Sequence, residues 1–280
     1  MEKITHELIR ALLPPRPKTA HKGDFGRVLA LAGSLGTSGA AWFCGMAAVR
    51  GGAGLVTMGL PERIWGVVAG QAPECMCFPL SCDGMGRLDD WAFPWIENQL
   101  LSADVCVCGP GLGRSTSLER LTTLFMGSGV PLVLDADGIN NKSGHILKCP
   151  LVLTPHEGEF TRMGGDLSRG RASGGRAYVE SNPCVLVLKG HETLVFSPDG
   201  AVRQNTTGGP GLAKGGSGDV LAGLIAAFIA QGLTPFDAAS AGVYIHGLAG
   251  DLCEKEIGER GMTPADTVNA LPKALRLTGG

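Results

Sequence analysis

Short apolar runs, each ending in a glycine-rich or polar turn and alternating with helix-like stretches, recur along this chain and constrain its fold class more than any other feature. Val28 to Ala32 runs into Gly33-Ser34-Leu35-Gly36-Thr37-Ser38-Gly39, and Ala40 to Arg50 then reads as a helix stopped by Gly51-Gly52. Leu55 to Gly59 reads as the next strand. The pattern continues with strand Val105 to Cys108, a helix near Leu118 to Met126, and strands Leu132 to Leu134, Leu151 to Leu153 and Val185 to Leu188. Strands alternating with helices predict an α/β fold: a mostly parallel central sheet covered by helices on both faces, in three layers. Leu194 to Ser197 and Val202 to Asn205 flank Pro198-Asp199-Gly200, a hairpin signal that adds antiparallel strands. A C-terminal helical stretch follows, over Val220 to Gln231, Pro235 to Cys253 and Pro264 to Leu275. The 44 glycines, about twice the usual share, suit a fold with many strand-to-helix turns. No linker, low-complexity tract or repeat interrupts the chain, so residues 1–280 read as one domain, with 1–20 as a lead segment.

Charge and cysteine content narrow the functional classes. The formal net charge of -2 provides no global field toward nucleic acid or acidic membranes. Met1 to Leu13 lacks the apolar core of a signal peptide, and no run reaches the length of a membrane span, which predicts a soluble cytoplasmic protein. Nine scattered cysteines, an odd number, fit reduced thiols better than a disulfide framework. Cys75/Cys77 and Cys106/Cys108 have the period of strands, and they lack partners at zinc-ligand spacing.

In a parallel sheet the ligand crevice lies beyond the carboxyl ends of the strands, so the turns after the strands are where chemistry is sought. They are Gly109-Pro110-Gly111-Leu112-Gly113, Asp135-Ala136-Asp137, Thr154-Pro155-His156-Glu157-Gly158-Glu159 and Lys189-Gly190-His191-Glu192-Thr193. To these is added Gly215-Gly216-Ser217-Gly218-Asp219, at the mouth of the helix that begins near Val220. Glycines let backbone approach a ligand, and the unpaired amides of a first helical turn attract anions, so this turn should hold a phosphate. A carboxylate beside it could take a proton, yet Asp219 could equally be a plain helix cap. It is not a Walker loop, because Lys214 follows Ala213 and precedes Gly215. The turn after the first strand is Gly-x-x-Gly-x-x-Gly, not a dinucleotide fingerprint. His156, Glu157 and Glu159 serve either a helix N-terminus or a substrate and a phosphate-bound metal. Asp135 and Asp137 serve turn chemistry or catalysis. Lys189 reaches phosphate or solvent, and His246 reads as a packed core histidine.

With these motifs in order, the chain from about His21 to Leu275 resembles the ADP-dependent NAD(P)H-hydrate dehydratases, a branch of the ribokinase-like superfamily. The resemblance rests on His21-Lys22-Gly23-Asp24-Phe25-Gly26, Ala32-Gly33-Ser34, Leu134-Asp135-Ala136-Asp137-Gly138, the four strand-end motifs above and Asn205 to Gly223. It implies a ribokinase-like sandwich and removal of water from the S epimer of NADH hydrate or NADPH hydrate. ADP is the co-substrate, Mg2+ the metal, and AMP and phosphate the products.

By the same resemblance Asp219 is the general base, and Gly216, Ser217 and Gly218 form an anion hole. Ala40, Gly111, His156 and Asp219 line the hydrate pocket; Lys189, Gly190, His191, Glu192, Thr193 and Gly218 hold the nucleotide. Glu159 acts on the metal through water. The family commonly has proline where Glu157 stands, so this chain adds a negative charge near an anionic substrate. Related small-molecule kinases carry Asn-x-x-Glu where this chain has His156-Glu157-Gly158-Glu159, which favours the dehydratase over an ATP-dependent vitamin-precursor or sugar kinase, or a non-catalytic nucleotide sensor. Relatives often form homotetramers, and many carry an epimerase domain. With about twenty residues before His21, the chain is expected to rely on a separate NAD(P)H-hydrate epimerase.

Overall fold

The computed structural model describes residues 1–142 and 147–279. Its single sheet has ten strands: β1 (Glu2–Lys3), β2 (Arg27–Leu31), β3 (Leu55–Pro61), β4 (Met76–Leu80), β5 (Val105–Cys108), β6 (Leu132–Leu134), β7 (Leu151–Leu153), β8 (Val185–Leu188), β9 (Leu194–Phe196) and β10 (Val202–Gln204). Their order is β1-β10-β9-β8-β7-β6-β5-β2-β3-β4. Every neighbouring pair is parallel except those made by β9, which runs against both β8 and β10. The expected hairpin is thus one reversed strand in an otherwise parallel sheet.

Residue type divides the two faces. Val28, Val105, Val107, Val133, Val152 and Val187 point into one core, while Leu29, Leu31, Cys106, Cys108, Leu132, Leu134, Leu186 and Leu188 point into the other. Because successive strand side chains alternate between faces, Cys106 and Cys108 share a face as their spacing predicts. The valine face is covered by Ser38–Arg50, Ser217–Ala230, Pro235–Ile257 and Pro264–Leu277; the leucine face by Phe93–Leu100, Thr116–Gly127 and Arg171–Ser181. Small residues let the first set approach closely. A Cβ at Gly223 would lie 2.0 Å from the Cys44 carbonyl oxygen, so Ser217–Ala230 rests on the backbone of Ser38–Arg50. A helix buried on nearly all sides needs no amphipathic stripe, which is why Val220 to Gln231 reads as uniformly apolar.

Two strands and several helices lie outside the sequence expectation. β4 is an apolar edge strand whose Pro79 argues against a strand reading, and β1 is only two residues long. The helix expected over Val220 to Gln231 spans Ser217–Ala230, an earlier start that draws Ser217, Gly218 and Asp219 into its first turn.

Chain order fixes where a ligand can enter. The chain moves outward from β2 through β3 to β4, then returns to β5 on the other side of β2 and continues outward to β9. Connections on opposite sides of the sheet leave a crevice at that switch, beyond the carboxyl ends of β2 and β5.

Candidate active site

The turns after β2 and β5 are stitched together at the switch point. Gly33 N–H donates to the Pro110 carbonyl at 2.7 Å, and the Ser34 and Thr37 hydroxyls donate to the Gly111 carbonyl at 2.8 and 2.6 Å. Gly111 has φ +64°, and a Cβ there would sit 2.9 Å from Ala40 Cβ, so Ala40 and Gly111 are neighbours on one wall. Asp137 braces the same turn, Oδ2 accepting from Gly113 N–H at 2.8 Å. Ala136, between the two aspartates, has φ +47°, a left-handed conformation that costs a non-glycine residue about 1 kcal/mol or more.

The ends of β6, β7 and β8 build a charged floor. Lys189 Nζ donates to Asp135 Oδ1 at 2.8 Å and lies 3.9 Å from Glu159 Oε2, while the Thr154 hydroxyl donates to Asp135 Oδ1 at 2.8 Å. Asp135 is 1% exposed and Glu159 6%, so their charges depend on this pairing. Burial works against the Lys189 charge, but attraction by Asp135 and Glu159 outweighs it and its pKa rises.

Asp219 stands above the floor at the third position of Ser217–Ala230. The cap of that helix is Gly216, φ +101°, with no side-chain cap bond, so the cap reading of Asp219 does not hold. Gly216 is required there: a Cβ would lie 2.7 Å from Phe43 Cε2. A Cβ at Gly218 would lie 3.1 Å from Lys189 Nζ and 3.4 Å from Asp135 Oδ2, which sets the helix N-terminus directly over the floor. The Ser217 amide donates to the Lys214 carbonyl at 3.2 Å; among the described residues the Gly218 and Asp219 amides have no acceptor. The Asp219 carboxyl also has no hydrogen bond. Burial first, then repulsion by Asp135, Asp137 and Glu159, partly offset by Lys189, pushes its pKa up to about 7.

His156 caps the short Glu157–Arg162 helix. Its Nδ1 accepts from the Gly158 and Glu159 amides at 3.0 and 3.2 Å, and Glu159 Oε2 accepts from the His156 amide at 2.9 Å. With Nδ1 an acceptor, the proton belongs to Nε2, on a half-exposed ring. Helix capping therefore occupies Nδ1 and leaves Nε2 without a hydrogen bond.

A cavity of about 580 Å3 opens beside this constellation. Its lining includes His156, Lys189 to Thr193, Ser217 and Gly218, together with Thr207, Gly208, Pro210, Leu212, Val243, His246 and Gly247. Ala40, Gly111, Gly216, Glu159 and Asp219 lie outside this lining, on the switch-point side. Of the expected residues the cavity thus takes in His156, Lys189 to Thr193 and Gly218, with Ser217, and leaves the other five outside its lining. The part of the lining from Thr207 to Leu212 and from Val243 to Gly247 is not anticipated from sequence, although Thr206-Thr207-Gly208-Gly209-Pro210 marks a loop there. His246 is buried, as read, but it faces this cavity rather than closed core.

The extra charge at Glu157 is met by Arg171, a residue with no sequence signal. Arg171 Nη1 and Nη2 donate to the His191 and Leu188 carbonyls at 2.6 and 2.8 Å, and Nε lies 3.3 Å from Glu157 Oε1. Nε makes no hydrogen bond despite that proximity, so its contact with Glu157 is ionic and off-axis. No group of three metal-ligating side chains occurs among the described residues. Asp135 Oδ2 and Glu159 Oε1 nevertheless lack hydrogen bonds, and such hard oxygens suit a magnesium ion held mainly by phosphate and water.

Comparison with known proteins agrees with this geometry. A family profile described as NAD(P)H-hydrate dehydratase matches residues 28–273. The bifunctional NAD(P)H-hydrate repair enzyme of Moorella thermoacetica is 39% identical over 98% of this chain. The chain spans about half the length of that relative, 53%. The ADP-dependent (S)-NAD(P)H-hydrate dehydratase of Bacillus subtilis is 32% identical, covering 96% of both chains. Among solved structures, the ADP/ATP-dependent NAD(P)H-hydrate dehydratase of Bacillus subtilis co-crystallised with ATP/Mg2+ gives a TM-score of 0.87 at 30% identity, over 99% of this chain and 98% of that one. A ribokinase-like superfamily protein of Enterococcus faecalis gives 0.89 at 27% identity, over 99% and 96%.

Proposed function

The chain belongs to the NAD(P)H-hydrate dehydratase family, and from that premise we propose that it dehydrates the S epimer of NADH hydrate or NADPH hydrate at the expense of ADP. The observation that carries the reading is Asp219: a carboxyl without a hydrogen bond, titrating near 7, above a floor whose other charges are already paired. A group of that kind takes up a proton near neutral pH.

Hydroxide is a poor leaving group, whereas phosphate leaves readily. Asp219 accepts the proton of the ring hydroxyl as that oxygen attacks the terminal phosphorus of ADP. The phosphoryl group is transferred and AMP departs. The ring nitrogen lone pair then expels phosphate, and loss of a proton from the adjacent carbon restores the dihydronicotinamide. The amides at Gly216 and Gly218, with Lys189, stabilise charge on the phosphoryl group in transit, while the third expected donor, the Ser217 amide, is already given to the Lys214 carbonyl; such stabilisation usually dominates this chemistry. Ala40, Gly111 and His156 line the hydrate side, and Lys189 to Thr193 with Gly218 hold the nucleotide. Glu159 would hold Mg2+, which when bound would supply positive charge against the phosphates.

In this reading residues 1–280 act as one dehydratase domain, and an NAD(P)H-hydrate epimerase supplies the S epimer. The free state of all nine cysteines supports a cytoplasmic setting, and no described helix is long and apolar enough to cross a membrane. Exposed Trp65, Val67, Met76 and Phe78 beside the open edge of β4 support a homo-oligomer, a tetramer by resemblance. The test is incubation with ADP, Mg2+ and the hydrate, following dihydronicotinamide absorbance. An ADP-dependent rise is expected; no rise sinks the reading, and a stable phosphorylated product reassigns the protein as a kinase.

A further inference from the structure

The segment from Thr207 to Lys214 lies along the Pro235–Ile257 helix and supplies Thr207, Gly208, Gly209, Pro210 and Leu212 to the cavity wall. Its only regular structure is a single 3-10 turn at Pro210–Leu212, so its place depends on what its polar groups are bonded to. Glycines on both sides bring segment and helix together. A Cβ at Gly247 would lie 2.2 Å from Thr207 Oγ1, one at Gly250 2.7 Å from Leu212 Cδ1, and one at Gly209 2.4 Å from the Glu254 carboxylate.

Side chains fasten the segment at three places. At its start the Thr207 hydroxyl donates to the Tyr244 carbonyl at 2.8 Å; at its end Lys214 Nζ donates to the Arg260 carbonyl at 2.8 Å and to the Met262 carbonyl. In the middle two carboxylates accept backbone amides. Asp251 takes Gly208 N–H at 3.0 and 3.1 Å, and Glu254 takes Gly211 N–H at 2.6 Å. Asp251 and Glu254 stand three apart on one helix, where like charges repel, and among the described residues neither forms an ion pair. Burial raises the Asp251 pKa, the Gly208 amide lowers it and the Glu254 charge raises it again. A repelling pair does nothing for the helix itself; what it holds is the cavity wall.

We propose that Asp251 and Glu254 are positioning residues that clasp the Thr207 to Lys214 segment to the helix and so hold the wall of the nucleotide cavity in place. The proposal rests on the nucleotide-dependent reading of that cavity. Neither carboxylate is part of the lining, so each acts through the segment it holds. Ala40 and Gly111 also lie outside the lining, so the effect should fall on ADP and spare the hydrate. Lys214 separately anchors the end that leads into Gly215 to Gly218, so turnover at saturation should be spared as well.

Steady-state kinetics of the whole chain, with ADP and hydrate varied in turn, tests this on the wild type, Asp251→Ala, Glu254→Ala, Asp251→Asn and Glu254→Gln. Each alanine variant leaves an amide without its acceptor and should raise the KM for ADP about tenfold, while kcat and the KM for the hydrate stay within about twofold. Asparagine and glutamine keep an accepting oxygen without its charge, so those variants should raise the KM for ADP only about threefold. An unmoved KM for ADP in the alanine variants overturns the proposal, whatever their melting temperatures. So does a rise shared equally by both substrates, or amide variants as impaired as the alanine ones. If the alanine variants fail to fold, the amide variants decide: a KM for ADP equal to that of the wild type in both overturns the proposal. Absence of ADP-dependent turnover in the wild type overturns the nucleotide reading itself, and is a different result from turnover with an unmoved KM.

Discussion

The floor around Lys189 and the rim formed by Asp219 and His246 share one crevice, but their polar atoms are met in opposite ways. On the floor Lys189, Asp135, Thr154 and Glu159 bond or pair with one another. On the rim the Asp219 carboxyl and His246 Nε2 lack hydrogen bonds, and burial drives both side chains toward their neutral forms. Contacts already made fix the geometry, and of the two unmet groups the Asp219 carboxyl is the one not sealed from a ligand. Substitutions on the floor should therefore be read in stability as well as in turnover, and substitutions on the rim chiefly in turnover.

Asp219→Asn should break the comparison most sharply. Loss of the base should lower kcat by about a thousandfold while ADP affinity stays within a few-fold. The same variant should be more stable than the wild type at alkaline pH. The folded chain holds the Asp219 proton up to about pH 7, whereas an unperturbed aspartate loses it near 3.8, so ionisation as pH rises through that interval costs folding free energy. Thermal melts of both proteins should separate at pH 8 and converge near pH 4. In the wild type, kcat/KM should fall as pH drops below about 7, where the base is protonated. Near-normal turnover in Asp219→Asn would remove Asp219 from the chemistry.

Lys189→Met tests the floor. It leaves Asp135 and Glu159 buried without their cation, and breaking such a pair should destabilise the chain by about 3 kcal/mol. Because Lys189 also holds the Asp219 pKa down, the inflection of any residual activity should move above 7. Denaturant midpoints and a pH profile check both; an unchanged midpoint would mean that the floor contributes no structural role.

This division between floor and rim was only partly legible in the sequence. β5 to β8 are visible as apolar runs because burial on both faces leaves no polar alternation, and the turns after them are polar because ligands enter there. Arg171–Ser181 is not visible, since Gly174 and Gly175 weaken its helix signal. Their glycines are set by packing instead: a Cβ at Gly175 would lie 2.2 Å from the Phe196 ring, and one at Gly174 1.9 Å from the Asp166 carbonyl oxygen. His246 was half legible. An apolar helical stretch predicts burial, but whether a buried imidazole faces core or cavity depends on Thr207 to Leu212 folding across that helix, a contact that local sequence does not contain. Arg171 and Glu157 open two successive helices of the one connection between β7 and β8, and local sequence does not show that the two helix starts meet.

Glu157→Ala should give the smallest effect, and its size separates two views of that charge. If Glu157 acted directly on the anionic substrate, removing it would tighten hydrate binding and the gain would shrink with added salt. The ion pair argues otherwise. Arg171 already offsets the charge, Glu157 remains half-exposed, and such pairs are worth about 0.5 kcal/mol. The hydrate KM should then change by less than about twofold, and the ADP KM by a comparably small factor, because Arg171 keeps its bonds to the His191 and Leu188 carbonyls. Arg171→Ala should do more than Glu157→Ala: it frees the turn from Lys189 to Thr193 and exposes the Glu157 charge together, so the ADP KM should rise further than in the glutamate variant. Equal effects from the two variants would locate the interaction in the ion pair and not in the grip of Arg171 on the loop.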